Sequence, residues 1–215
     1  MGGWGRRGAV YAAGFVLLLG LQGARPAWAQ SDEDRAGART MATEGAKAFA
    51  EQRWADAVDL FTRAESLVHA PPHLLFVARA RVKLGQLVLA REAYTKIIRE
   101  NIAPKAPAVF HEAQTSAKVE LPALEPRIAM LTVSVTGSEG KSTSVTIDGQ
   151  PLPPAFVGAP KPMNPGEHRL QATAEGMASD VVTVTLREGA RQNVALALVA
   201  HKGPVPVAAA PLAPR

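Results

Sequence analysis

Residues 40 to 102 carry one helical hairpin twice. Aligning Ala57 with Ala90 puts Gly45 on Ala78, Trp54 on Leu87, Phe61 on Tyr94 and Ala64 on Ile97, all at an offset of 33 (90 minus 57). Small residues recur where two helices must approach closely, and large apolar residues recur where they interlock. Repetition at this period is the mark of stacked supersecondary units, each too small to bury its own apolar face. A stack of such hairpins presents a surface for holding another chain and no evident place for chemistry.

The hydrophobic period supports this reading. Met41, Ala42, Gly45, Ala46, Ala48 and Phe49 fit a helix between Thr40 and Glu51, and Ala57, Val58, Leu60, Phe61 and Ala64 fit a second from Trp54 to Val68. Pro71 and Pro72 close the first hairpin and open a third helix that runs to about Leu84 and stops at Gly85. A fourth helix follows from Leu87 to Arg99. A fifth, about Ala106 to Leu121, is more polar and is expected to shield the last hairpin as a terminal cap. Pro122 and Pro126 bracket an expected linker over residues 122–127.

At Ile128 the period changes from 3.6 to 2. Leu131, Val133 and Val135 alternate with polar residues, as do Val145 and Ile147, then Leu170, Ala172 and Ala174, then Val182, Val184 and Leu186, then Val194, Leu196 and Leu198. Turn residues such as Asp148-Gly149, Pro165-Gly166, Glu175-Gly176 and Glu188-Gly189 bound the sets. Several short strands in about 70 residues predict a small antiparallel β-sandwich. Six prolines between Pro151 and Pro165 exclude a central strand there and leave an ordered loop or an edge crossing. Residues 202–215 are rich in proline and alanine, have no periodicity, and are expected to form an extended tail.

The N-terminal segment indicates a compartment. Arg6 and Arg7 precede an apolar run from Ala9 to Leu21, and Ala27-Trp28-Ala29 follows. This order of charge, short apolar stretch and small-x-small site is that of a secretory signal peptide over residues 1–29, with cleavage between Ala29 and Gln30. The run is shorter than the ~18 residues of a membrane helix. Glycines flank the arginine pair, which favours the general secretory route over the twin-arginine one. Arg6, Arg7 and Arg25 leave with the leader, so 21 basic residues then face 19 acidic ones. Little remains of the basic excess that would suggest nucleic acid. No later apolar run is long enough to span a bilayer. The chain has no cysteine, which excludes disulfides, thiolate metal ligands and a cysteine nucleophile.

Two resemblances follow from these residues. Residues 40–121 resemble tetratricopeptide repeats through Ala57-Phe61-Ala64 in one unit and Ala90-Tyr94-Ile97 in the next. Gly85 is at the turn of the second unit, where the first has Gln52. Residues 128–199 resemble the PEGA domain, a small β-sandwich of envelope proteins. The matching residues are Ser138-Glu139-Gly140-Lys141, the strand Val145-Thr146-Ile147-Asp148-Gly149, the turn Asn164-Pro165-Gly166-Glu167-His168, and Glu175-Gly176-Met177. Together they imply an α+β bacterial envelope protein. A short tetratricopeptide-like array (30–121) is followed by a PEGA-like antiparallel sandwich (128–201) and a tail. His168 is implied to be structural, bonding a backbone carbonyl.

Few residues have the spacing that chemistry requires. His69 and His73 have the spacing of two metal ligands on a helix, but Pro71 and Pro72 lie between them. Gly137 to Ser142 ends in Gly-Lys-Ser but is too short for a phosphate loop and lies between strands. No serine sits in a nucleophile elbow. The expectation is a non-enzymatic periplasmic or secreted, envelope-associated adaptor with no metal, cofactor or nucleic-acid partner. It would bind a protein partner or peptide segment, with the wall or a surface assembly as a further contact. A structural or carbohydrate-binding role for the sandwich is the alternative. In the repeat family the first helix of each unit lines the concave face. That implies a peptide site at Arg39, Phe49, Leu75, Arg79, Val82 and Lys83, with Ala42 and Ala46 beside it, and Arg79 and Lys83 as anchors for acidic groups.

Overall fold

The computed structural model describes residues 31–138 and 140–201. The expected leader, its cleavage point between Ala29 and Gln30, and the expected tail lie outside them. Among the described residues five α-helices precede nine short strands, so the chain is of mixed α+β class. No helix among the described residues is long and apolar enough to cross a membrane.

The helices are α1 (Asp32–Ala50), α2 (Trp54–Leu67), α3 (Pro71–Lys83), α4 (Leu87–Arg99) and α5 (Ala108–Leu124). α1 starts eight residues before the expected Thr40. The reason is a capping box, in which the Asp34 N–H donates to the Ser31 hydroxyl (2.9 Å) and the Ser31 N–H to the Asp34 carboxylate (3.2 Å). The repeat is visible in the backbone itself. The α1–α2 and α3–α4 turns make the same three bonds 33 residues apart. Glu51 and Leu84 donate to Lys47 and Ala80, Gln52 and Gly85 to Phe49 and Val82, and Arg53 and Gln86 to Ala48 and Arg81. Gln52 at φ 61° and Gly85 at φ 72° hold the left-handed position that ends each first helix. Only glycine adopts it without cost. Gln52→Gly is therefore expected to raise stability by roughly 0.5–1 kcal/mol, read as a higher thermal midpoint. An unchanged midpoint would mean that the glutamine is not strained there.

Ala57, Ala64, Ala90 and Ile97 are fully buried, with Phe61 and Tyr94 nearly so. At Gly45 an added Cβ would lie 2.9 Å from the Phe61 ring, so the close crossing of α1 and α2 requires glycine. α5 packs on α3 and α4 through Ala113, Ala117 and Leu124.

The strands are β1 (Ala129–Thr136), β2 (Ser144–Ile147), β3 (Gln150–Leu152), β4 (Pro160–Met163), β5 (Gly166–Ala174), β6 (Met177–Ala178), β7 (Val182–Leu186), β8 (Arg191–Ala197) and β9 (Val199–Ala200). One sheet has the order β4-β1-β8, and the other β3-β2-β5-β6-β9 with β7 also on β5. They face each other across an aliphatic core that includes Leu131, Val145, Leu170, Leu186 and Leu196. The expected sheet was wholly antiparallel, but β1 and β8 run parallel. Alternation reports which face of a strand is buried and says nothing of its direction. The proline-rich segment supplies the edge strands β3 and β4, where a missing N–H removes no central ladder bond.

Residues 122–127, expected as a linker, are the end of α5, with Pro122 inside the helix, and a 3₁₀ turn at Glu125–Arg127. Ile128 is buried in the helical core and Ala129 in the sandwich core, so the chain passes directly from one to the other. Further contacts lock the junction. The Arg127 guanidinium makes two bonds of 2.8 Å to Glu188, and the Gly189 N–H donates to the Arg127 carbonyl at 2.7 Å. The Asn164 side chain accepts from the Val88 N–H at 3.0 Å, which caps α4, a helix with no side-chain cap of its own. His168 positions that asparagine. Its Nε2 bonds the Asn164 carbonyl (2.9 Å) and its Nδ1 bonds Asp148 (2.7 Å).

Candidate functional site: a groove across the first helices

α1, α3 and α5 lie side by side and enclose three adjoining hollows of about 720, 400 and 270 Å³. The first two share Ala42, Thr43, Pro72 and His73, and the last two share Pro72 and Phe76, so they form one groove. Its depth comes from residue size. Ala42 and Ala46 on α1 leave space that a larger residue would fill. Phe76 supplies the floor, held by stacking on Phe61 (4.7 Å between centroids) and by edge contact with Phe49 (5.3 Å). Val109 and Phe110 on α5 form the far wall.

The six residues expected to bind peptide separate in space. Arg39 lines the groove, is exposed, and makes no side-chain bond or ion pair among the described residues. Leu75 and Arg79 border its narrow end, but Leu75 is almost fully buried in the helical core. Phe49 supports the floor from the side, packed on Trp54 and Phe76. Val82 faces away, beside Tyr94, Glu120 and Leu124. Lys83 is exposed, with its ammonium 5.9 Å from the Trp54 ring.

Arg79 has a partner that the sequence reading did not assign. Its Nε donates to both carboxylate oxygens of Glu120 on α5, at 3.0 and 3.1 Å, and the Tyr94 hydroxyl donates to the same carboxylate at 2.7 Å. Burial works to raise the Glu120 pKa, but the bonds from Arg79 and Tyr94 outweigh it and hold the carboxyl below its ordinary value. Burial, then the bond to Glu120, pushes the Tyr94 phenol up. Arg79 therefore ties α3 to α5 and is not a free anchor, leaving Arg39 as the basic residue available to a ligand. Phe76 and His73 also belong to the site and were not expected there.

His73 has two sides. One face of its ring lines the groove, while Nδ1 lies 3.8 Å from Glu65. Glu65 is the centre of a cluster behind the groove. It accepts from the Ala70 N–H at 3.0 Å, bonds His69 Nδ1 at 2.5 Å and lies 3.5 Å from the Lys96 ammonium. His69 Nε2 bonds Glu100 at 3.0 Å. Burial works to lower the His69 pKa, but the bonds to Glu65 and Glu100 and the charge of both carboxylates raise it. His69 thus fastens the α2–α3 loop to the end of α4. A separate hollow of about 750 Å³ lies by this cluster, lined by Arg91, Lys96, Arg99, Glu92 and Glu100. Its walls are long, hydrated charged chains, so the apolar groove is the better surface for apolar side chains of a partner.

Comparison with protein-family models, with curated proteins and with solved structures gives no match for this chain.

Proposed function

We propose that this protein is a non-enzymatic adaptor of the cell envelope that holds an extended segment of a protein partner in the α1–α3–α5 groove. The observation that carries this reading is the groove itself. It is a continuous apolar channel over three parallel helix faces, with Phe76 as floor and an unpaired Arg39 on its wall. Apolar side chains of the bound segment fill the hollows over Ala42 and Ala46, and an acidic group meets Arg39. The resemblance to tetratricopeptide and PEGA domains, and the leader-like N-terminal segment, support an exported protein of this kind. The contacts at Arg127, Asn164 and Gly189 make the sandwich a fixed second arm beside the groove. Phe156 is the sandwich's one aromatic side chain, which favours a protein partner over stacking on sugar rings.

Ala46→Trp tests the reading. Position 46 is exposed on α1 and tolerates a large side chain, which would fill the groove. Protein retained from an envelope extract by the wild-type chain is expected to fall about tenfold or more, with helix content unchanged. Equal retention by wild type and variant would remove the groove from the account.

A further inference from the structure

Among the described residues, no strand pairs with the outer side of β8. The three-stranded sheet has two edges, β4 and β8. Edge strands expose unpaired backbone groups, and proteins commonly block them with proline, lysine or a bulge. β4 is blocked by Pro160 and Pro162, and β3 in the other sheet by Pro151. β8 has seven residues, no proline and no lysine, and its one charge, Arg191, is at its first position.

The direction of its backbone groups follows from two bonds. The Met130 N–H donates to the Ala190 carbonyl (2.7 Å) and the Leu198 N–H to the Thr136 carbonyl (2.9 Å), so even-numbered positions of this strand face β1. Strand backbone groups alternate sides residue by residue. Arg191, Asn193, Ala195 and Ala197 therefore direct their N–H and C=O groups to the open edge, and all four are exposed.

We infer that β8 pairs with β8 of a second copy, antiparallel and centred on Val194, joining the two three-stranded sheets into one. The side chains specify this partner. In this register Arg191 lies opposite Ala197 of the second copy and Asn193 opposite Ala195, so each large side chain meets an alanine and no like charges face each other. Val194 meets its own equivalent on the core side. All four outward residues of each strand are paired, giving about eight backbone bonds. A slip of one residue would oppose outward groups to inward ones. A slip of two would lose a bonded pair and set Asn193 or Ala195 against itself.

Sedimentation of the purified chain tests the inference, together with Ala195→Pro. Proline at 195 removes an N–H that faces the open edge, so no bond to β1 is lost and the fold is kept, as an unchanged circular dichroism spectrum would verify. Wild type is expected to sediment as a dimer, and Ala195→Pro to weaken dimerisation about tenfold or more. The absence of cysteine gives a second readout. Asn193→Cys is expected to be joined to a second copy by a short thiol crosslinker, and Gln150→Cys on β3 is not. A monomeric wild type, a dimer insensitive to Ala195→Pro, or equal crosslinking from β3 would overturn the inference.

Discussion

Gly189→Val is expected to destabilise the helical module and the sandwich together, by about 3 kcal/mol or more. Gly189 has φ 69°, a conformation that β-branched residues strongly avoid. An added Cβ would also lie 2.6 Å from the Pro126 carbonyl oxygen, a backbone atom that cannot turn aside. The Gly189 N–H bond to the Arg127 carbonyl would be lost in any relaxation. Gly140→Ala is the contrast. It has φ 80° and nothing within 4 Å of an added Cβ, so only backbone strain of about 1 kcal/mol is expected. Trp54 on α2 is the one tryptophan among the described residues and reports on the helices. In Gly189→Val its fluorescence is expected to change at a lower denaturant concentration, although the substitution is in the sandwich. An unshifted Trp54 transition would mean that the two modules unfold independently.

Glu120→Ala is expected to lower stability by about 2 kcal/mol, or roughly 4–8 °C in thermal midpoint. It removes the shared acceptor of Arg79 and Tyr94 and leaves a cation and a hydroxyl without partners beside Ala117 and Leu124. About a third of each charged side chain reaches solvent, so the loss falls short of that for a fully buried pair. The pH dependence has a definite sign. The folded Glu120 pKa lies below its ordinary value of 4.5, so its contribution is complete above that value and is lost as pH falls through the folded pKa. The difference in midpoint between wild type and Glu120→Ala should therefore narrow as the solution is acidified below pH 4.5. A constant difference would show that packing, and not the charge of Glu120, accounts for the loss.

Much of the fold was legible because local chemistry repeats. The 33-residue offset marks two turns with the same bonds, and it holds although one turn uses Gln52 and the other Gly85. The six prolines between Pro151 and Pro165 excluded a central strand for a sound reason, the missing N–H. Other features depend on pairs far apart in the chain, which periodicity does not encode. Arg79 was expected as a groove anchor from its place on the first helix of a repeat, and its partner Glu120 is 41 residues away. Asn164 looked like part of a turn, yet it caps a helix 76 residues earlier. Pro122 suggested a break, but α5 tolerates it in its last turn, where one helical bond is lost. The start of α1 was readable in Ser31-Asp32-Glu33-Asp34, which carries the capping-box residues just after the expected cleavage point. Phe76 was missed because an apolar residue in a helix is usually core. Its role in the groove follows from Ala42 and Ala46 opposite, which leave it uncovered.

The groove over Phe76 is proposed to hold a segment of a protein partner. The most direct measurement places a photoreactive side chain at Ala42, in the middle of the groove, and another at Thr183 on β7, in cells that produce the protein. Irradiation is followed by identification of the crosslinked peptides. The expected result is a crosslink from position 42 to a short segment of one envelope protein, apolar with a nearby acidic residue, which disappears when Ala46→Trp is combined with it. Position 183 should not reach that segment. Crosslinks from position 183 to a partner or to glycan, with none from position 42, would contradict the account and move the binding surface to the sandwich.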